Sequence, residues 1–183
     1  MTPTPGSFPI AGTGKLPNVT VQHPGEVWSN LRAAGNVVPG AAIAPVVGAS
    51  RRYKQLVAGD TPQRRQVGVA LRQVALPDPN SGPATLGPNE IVNQMIADQD
   101  WLRLYLSGVV GLTLCEPRAD YQPGQLIGWN PAAARPVGKA AGAGAWSNQG
   151  ILANTDIFEV FEYRVFGSGN EGLLTVRFLR GED

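Results

Sequence analysis

The sequence predicts an all-β protein: a β-sandwich or small β-barrel of about 8–10 strands, with one short helix over about 88–98 and an extended N-terminal arm. Three observations carry this. The 183 residues include 23 glycines and 16 prolines, so the chain is broken at short intervals by turn formers. Hydrophobic residues make up 43% and charged residues only 16%, too apolar a mixture for a disordered chain. The apolar runs between the breaks are short and alternate with a period of two.

Residues 1–25 carry proline at 3, 5, 9, 17 and 24 and little apolar periodicity, which reads as an extended arm before a single β domain over 26–183. "EVWSNLRA", "AAIAPVVGA", "YKQLVAG" and "RQVGVALRQVAL" then read as strands. In the last of these, Val67, Val69 and Leu71 share one parity while Val74 and Leu76 take the other, which predicts a bulge near Arg72 and Gln73. After a proline-broken loop, Pro88 suits a first helical position, and Ile91, Met95 and Ile96 have helical spacing. In "RLYLSGVVGLTLCE", Leu104, Leu106, Val110, Leu112 and Leu114 fall on one parity, predicting one central strand through Gly108 and Gly111. "GQLIGW", "RPVGKAAG" and "AWSNQGIL" follow. "DIFEVFEYRVF" and "LLTVRFLR" predict a hairpin, with Phe161, Tyr163 and Val165 on one face of the first strand and Leu174, Val176 and Phe178 on one face of the second.

Two segments repeat a pattern: Pro39-Gly40-x-x-Ile43 and Pro123-Gly124-x-x-Ile127, each followed later by Val-Gly-x-Ala. Pro-Gly is the chemistry of a type II turn, which needs φ > 0 at its second central residue. Neither segment contains a histidine, cysteine or acid, so both read as strand-entry turns, with an internal duplication as one explanation.

The chemistry-bearing inventory is thin. A single cysteine, Cys115, and a single histidine, His23, allow no internal disulfide and no zinc cluster, and His23 in a proline-rich arm reads as solvent-exposed. "GSGNEG" at 167–172 spells the dinucleotide-binding glycine pattern but precedes a strand, where that motif requires a helix. "GTGK" at 12–15 lacks both the upstream glycine and the following Ser or Thr of a phosphate-binding loop. Acidic pairs such as Asp98/Asp100 and Glu159/Glu162 have the residue types of glycoside hydrolysis, but the first sits where the expected helix ends and Glu162, close to Arg164, reads as a cross-strand surface charge. No catalytic, cofactor-binding or metal-ligating residue is expected, and the protein reads as a non-enzyme. No apolar stretch approaches a membrane span and the N-terminus lacks a signal-peptide pattern, so neither membrane insertion nor export is expected.

Net charge is +1, but it is unevenly placed. Residues 1–75 hold eight Lys/Arg and two acids, whereas 76–183 hold seven and twelve. Twelve of the fifteen basic residues are arginine, suited to bidentate contacts at protein interfaces. "SRRYK" at 50–54 and "QRR" at 63–65 bring five cations into one predicted hairpin, read as a protein-binding surface and not a nucleic-acid one. Trp28, Trp101, Trp129 and Trp146 each sit at an element boundary, where core or interface roles outweigh a sugar platform.

The proline-rich arm, the Gly/Ala-rich β body, "YQPGQLIGWNPAAARPVGKAAGAGAW", "IFEVFEYRVF" and the closing "EGLLTVRFLRGED" together resemble capsid decoration, or cement, proteins of tailed bacteriophages. The resemblance implies a structural virion protein made in the host cytoplasm. It would sit on the outside of the capsid, commonly as a homotrimer, bridge major capsid protein subunits, and use no cofactor. Under it, the expected capsid contacts are Phe8, Ile10, Lys15, Leu16, Arg51, Arg52, Lys54, Arg64 and Arg65, and the expected trimer contacts are Met95, Trp101 and Leu102. A carbohydrate-binding or tail-associated accessory domain is the alternative, with a small glycosidase behind it.

Overall fold

The computed structural model describes residues 16–23, 25–73, 93–136, 144–166 and 169–179. These form eleven strands. Five of them close a barrel in the order β2 (Val27–Ala33), β4 (Arg52–Gln55), β3 (Ala42–Pro45), β5 (Gly68–Arg72), β6 (Trp101–Tyr105). The other six form a sheet in the order β1 (Val19–His23), β7 (Val109–Leu112), β11 (Gly172–Phe178), β10 (Phe158–Val165), β8 (Leu126–Asn130), β9 (Ala145–Ser147). Every pairing is antiparallel except β2 with β4. The fold is all-β, and it is both a barrel and a two-layer packing.

Alternation on β3 and β5 explains how. Ile43 and Ala70 point into the barrel with Leu31, Tyr53, Ile96, Leu102 and Leu104. Ala42, Ala44 and Val69 point the other way, into a larger core shared with Leu112, Ile127, Phe158, Leu174 and Val176 of the sheet. Small residues on the barrel's outer face let the layers approach, and Trp129 and Trp146, both fully buried, fill the space between them. The Trp129 indole N–H donates to the Leu56 carbonyl (2.9 Å), and the Trp146 indole N–H donates to the Gly40 carbonyl (2.7 Å). Trp129, Trp146, Phe158 and Phe178 continue as edge-to-face contacts with centroids 4.5–5.4 Å apart.

Both Pro-Gly segments are turns of the expected kind. Gly40 and Gly124 have φ of 86° and 83°, and each turn closes with the expected bond, Ala41 N–H to Val38 and Gln125 N–H to Gln122. The first enters the barrel through β3 and the second enters the sheet through β8, and Ile43 and Ile127 are fully buried. The later Val-Gly-x-Ala copy, residues 137–140, lies outside the described residues.

Several expectations are corrected. The single central strand over 104–114 is two strands in different layers: the chain leaves the barrel after β6, turns at Gly108 (φ 105°) and enters the sheet as β7. The arm boundary at 25 cuts through the sheet, because residues 19–23 are β1, paired with β7. Of the helix expected over 88–98, residues 88–92 lie outside the described residues; Asn93 is helical, and beyond it Ile96 makes a backbone bridge with Val37, so no helix continues to 98. The C-terminal hairpin exists, but a register shift between Val160 and Glu162 puts Phe161 outside while Tyr163 opposes buried Leu174. β5 keeps its register with β6 through Arg72, and Val74 and Leu76, on which the expected bulge depends, lie outside the described residues. No helix among the described residues is long and apolar enough to cross a membrane.

Candidate functional site at the barrel end

At one end of the barrel meet the start of β2, the end of β3, the starts of β4 and β5 and the end of β6. Trp28 stands there, 47% exposed, because the β2 register shifts between Trp28 and Leu31. Asn30 takes φ of 59° within that shift, a conformation asparagine tolerates better than most residues. The Trp28 indole N–H donates to Glu26 Oε1 (2.7 Å), which fixes the ring at the rim. On the neighbouring strand, Arg51 also has φ of 56°, and its carbonyl accepts the Arg32 N–H (2.8 Å). Two non-glycine residues in the left-handed region thus flank one exposed tryptophan, a placement of backbone strain common at binding sites.

Two hollows share the Trp28 and Tyr53 rings. The larger, about 550 Å³, runs from the rim residues Glu26, Arg64 and Arg65 to a floor of Val67, Leu104, Ile157 and Phe178, between barrel and sheet. The smaller, about 450 Å³, lies over Ser29, Asn30 and Arg51. Burial raises the Tyr53 phenol above its ordinary pKa, so it stays a neutral wall.

The five cations of 50–65 do not share one hairpin. β3 lies between β4 and β5, and a 3-10 turn at Arg64–Gln66 leads into β5. Arg52 pairs with Asp98 (3.0 Å), Lys54 with Asp60 (2.6 Å), and Arg64 bonds the Asp156 carbonyl (2.6 Å), tying the barrel end to the loop before β10. Arg65 is exposed and among the described residues bonds only Gln63 (3.3 Å). Among the described residues the exposed Arg51 side chain makes no hydrogen bond or ion pair, and Val47, at the tip of the β3–β4 loop, is 99% exposed.

Of the remaining expected contacts, Phe8, Ile10 and Lys15 lie outside the described residues, and Leu16 is half-buried, its carbonyl accepting from Asn93 Nδ2 (2.7 Å). The three expected trimer contacts do not form one surface. Leu102 is fully buried inside the barrel, Met95 packs against the interlayer core, and only Trp101 is exposed, with the Arg32 guanidinium stacked 3.3 Å over its ring. Leu102 alternates inward between Trp101 and Arg103 and has no surface to offer.

Hydrogen bonding, first from the Gly35 N–H and then from Gln99, with Arg52 nearby, holds the Asp98 carboxyl below its ordinary pKa, whereas a general acid needs a raised one. Glu159 accepts from Arg177 Nε (2.8 Å), and Glu162 pairs with Arg164 (3.5 Å). His23 is exposed at the end of β1, Cys115 is a buried thiol that donates to the Gly172 carbonyl (3.8 Å), and no group of three His, Cys, Asp or Glu side chains among the described residues could hold a metal ion.

Boundary position does not single out Trp28, since Trp129 and Trp146 also sit at element boundaries. The Ser-Asn pair after Trp28, a bulge former inside a strand, is the signal that marks it. Comparisons with family models, curated proteins and solved structures find no match to this chain.

Proposed function

We propose that this protein is a non-enzymatic structural protein of a virion, a capsid decoration protein of a tailed bacteriophage that binds the outer shell and bridges major capsid subunits. The sequence resemblance supports the family. The observation that carries the docking role is the barrel end, where the exposed Trp28 lines two hollows that also hold the exposed arginines Arg65 and Arg51. Aromatic residues and arginine dominate the energetic centres of protein interfaces. Such a protein would be made in the host cytoplasm and join the shell from outside. Within a homotrimer, Trp101 and its stacked Arg32 are the remaining candidate contacts, since Leu102 is inside the barrel.

The test is reconstitution on expanded capsids, with mass spectrometry asking whether the protein is stoichiometric with the shell. The W28A/R51A double variant should fold normally and lose occupancy at least tenfold. Full occupancy by that variant would reject the barrel end as the docking face, and absence of the protein from purified particles would reject the virion role.

One observation favours a second reading, a carbohydrate-binding or tail-associated module: Trp28 borders an apolar-floored cleft with polar groups on its rim. A glycan array comparing wild type with Trp28→Ala separates the two. Trp129 and Trp146 are fully buried and cannot serve as a platform.

A further inference from the structure

Among the described residues the closed barrel has no open strand edge, and the sheet has one. On its β9 side the sheet is capped: residues 114–116, continuing from β7, bridge to Trp146, with Trp146 N–H donating to Leu114 and Glu116 N–H to Trp146. On its other side β1 ends the order, and among the described residues nothing pairs with its outer edge. The Thr113 N–H to Asn18 carbonyl bond sets the alternation along β1, so Thr20 turns its backbone groups toward β7 and Val19 and Val21 turn theirs outward.

That edge lines a groove of about 390 Å³. Its opposite wall comes from the barrel: Leu71 and Arg72 of β5, Arg103 of β6, and Pro39. Arg103 is exposed, and its side chain makes no hydrogen bond or ion pair among the described residues. Arg72 reaches the Met95 and Gln94 carbonyls (3.0 and 3.4 Å) through one nitrogen, and among the described residues the rest of its fork makes no other bond. No acid is among the described residues that line the groove.

We propose that β1 is a strand-addition site that accepts an extended, acid-bearing segment of a partner protein. The partner's backbone would pair with the outward N–H and C=O groups of Val19 and Val21, and its carboxylates would meet Arg72 and Arg103. Main-chain pairing supplies affinity and alternate side chains supply selectivity, as in other strand-addition complexes. The site is separate from the barrel end and stands whether or not that end docks on a capsid.

The probe is a synthetic seven-residue peptide of alternating Glu and Val, compared with its Lys/Val counterpart on the full chain. Fluorescence anisotropy should show the acidic peptide binding at least tenfold more tightly, with the preference lost in R72A/R103A and weakened by salt. Amide hydrogen exchange should slow at Val19 and Val21 on binding. Val21→Pro removes one outward N–H and should abolish binding; the arginine variant keeps the proposal testable if this one misfolds. Equal binding of the two peptides overturns the proposal, as do unchanged β1 amides in the complex. So does slow exchange at Val19 and Val21 in the free chain, which would mean the edge is already covered.

Discussion

Trp146 shows at the level of a single residue what holds the layers together. Its ring fills the interlayer core and its indole N–H satisfies the carbonyl of Gly40, a turn residue of the opposite layer. Trp146→Phe keeps most of the apolar surface but leaves a cavity and a buried carbonyl without its donor, so a loss of about 2–4 kcal/mol is expected in urea unfolding. Composition and boundary position mark all four tryptophans as core or interface residues. They do not say which two are inside, because that depends on β8 and β9 facing the β3 turn across the core. A second residue-scale prediction concerns Asp120. The hydrogen-bonded fork of Arg118, at 2.8 and 2.9 Å, lowers its carboxyl from 3.8 to about 2. A depressed folded-state value stabilises above the unfolded value, and that contribution is lost as pH falls from 3.8 through about 2. In Arg118→Gln, an NMR titration of the Asp120 carboxyl should move back up toward 3.8. An unchanged titration would mean the fork is not the cause.

Strands were legible one by one where their faces differ, as at Leu174, Val176 and Phe178, which alternate into the core as their spacing predicts. They were not legible where an alternation continues across a break. Leu104 and Val110 keep one parity, yet the first lies in the barrel and the second in the interlayer core, because Gly108 turns the chain between them. Periodicity counts residues along one direction and cannot register a change of direction. Gly108→Ala places a Cβ at φ of 105° and should cost about 1–2 kcal/mol, read as a lowered thermal midpoint. The bulge at Phe161 misleads in the same way. One extra residue resets the phase, so the aromatic that matched the inward parity of Tyr163 is 55% exposed. The same device at Trp28 creates the candidate site, which is why the rim was hidden in a strand that reads as ordinary.

For the whole molecule, the question is whether barrel and sheet are one unit and what the N-terminal segment contributes to it. The larger core draws side chains from both layers, and the two tryptophan bonds cross between them, so neither layer buries its inner face alone. Far-UV circular dichroism and tryptophan fluorescence should therefore report one coincident unfolding transition. Residues 16–23 belong to that unit. Asn18 is buried: its N–H donates to Asn93 Oδ1 (2.7 Å), its Nδ2 donates to the Pro39 carbonyl of the barrel (2.7 Å), and its carbonyl accepts from Thr113 of the sheet (3.1 Å). The Thr113 hydroxyl also donates to the Pro17 carbonyl (2.7 Å). A deletion of residues 1–15 leaves all of these bonds in place and should shift the thermal midpoint little. A deletion of 1–23 removes β1, uncovers β7 and orphans the Pro39 and Thr113 partners, and should unfold the chain or lower its midpoint by more than about 10 °C. The pair separates stability from docking. If the proline-rich segment reaches across to a capsid, the shorter deletion loses capsid occupancy while its melting curve stays where it was. If both deletions melt alike, residues 16–23 are not the anchor their bonds indicate.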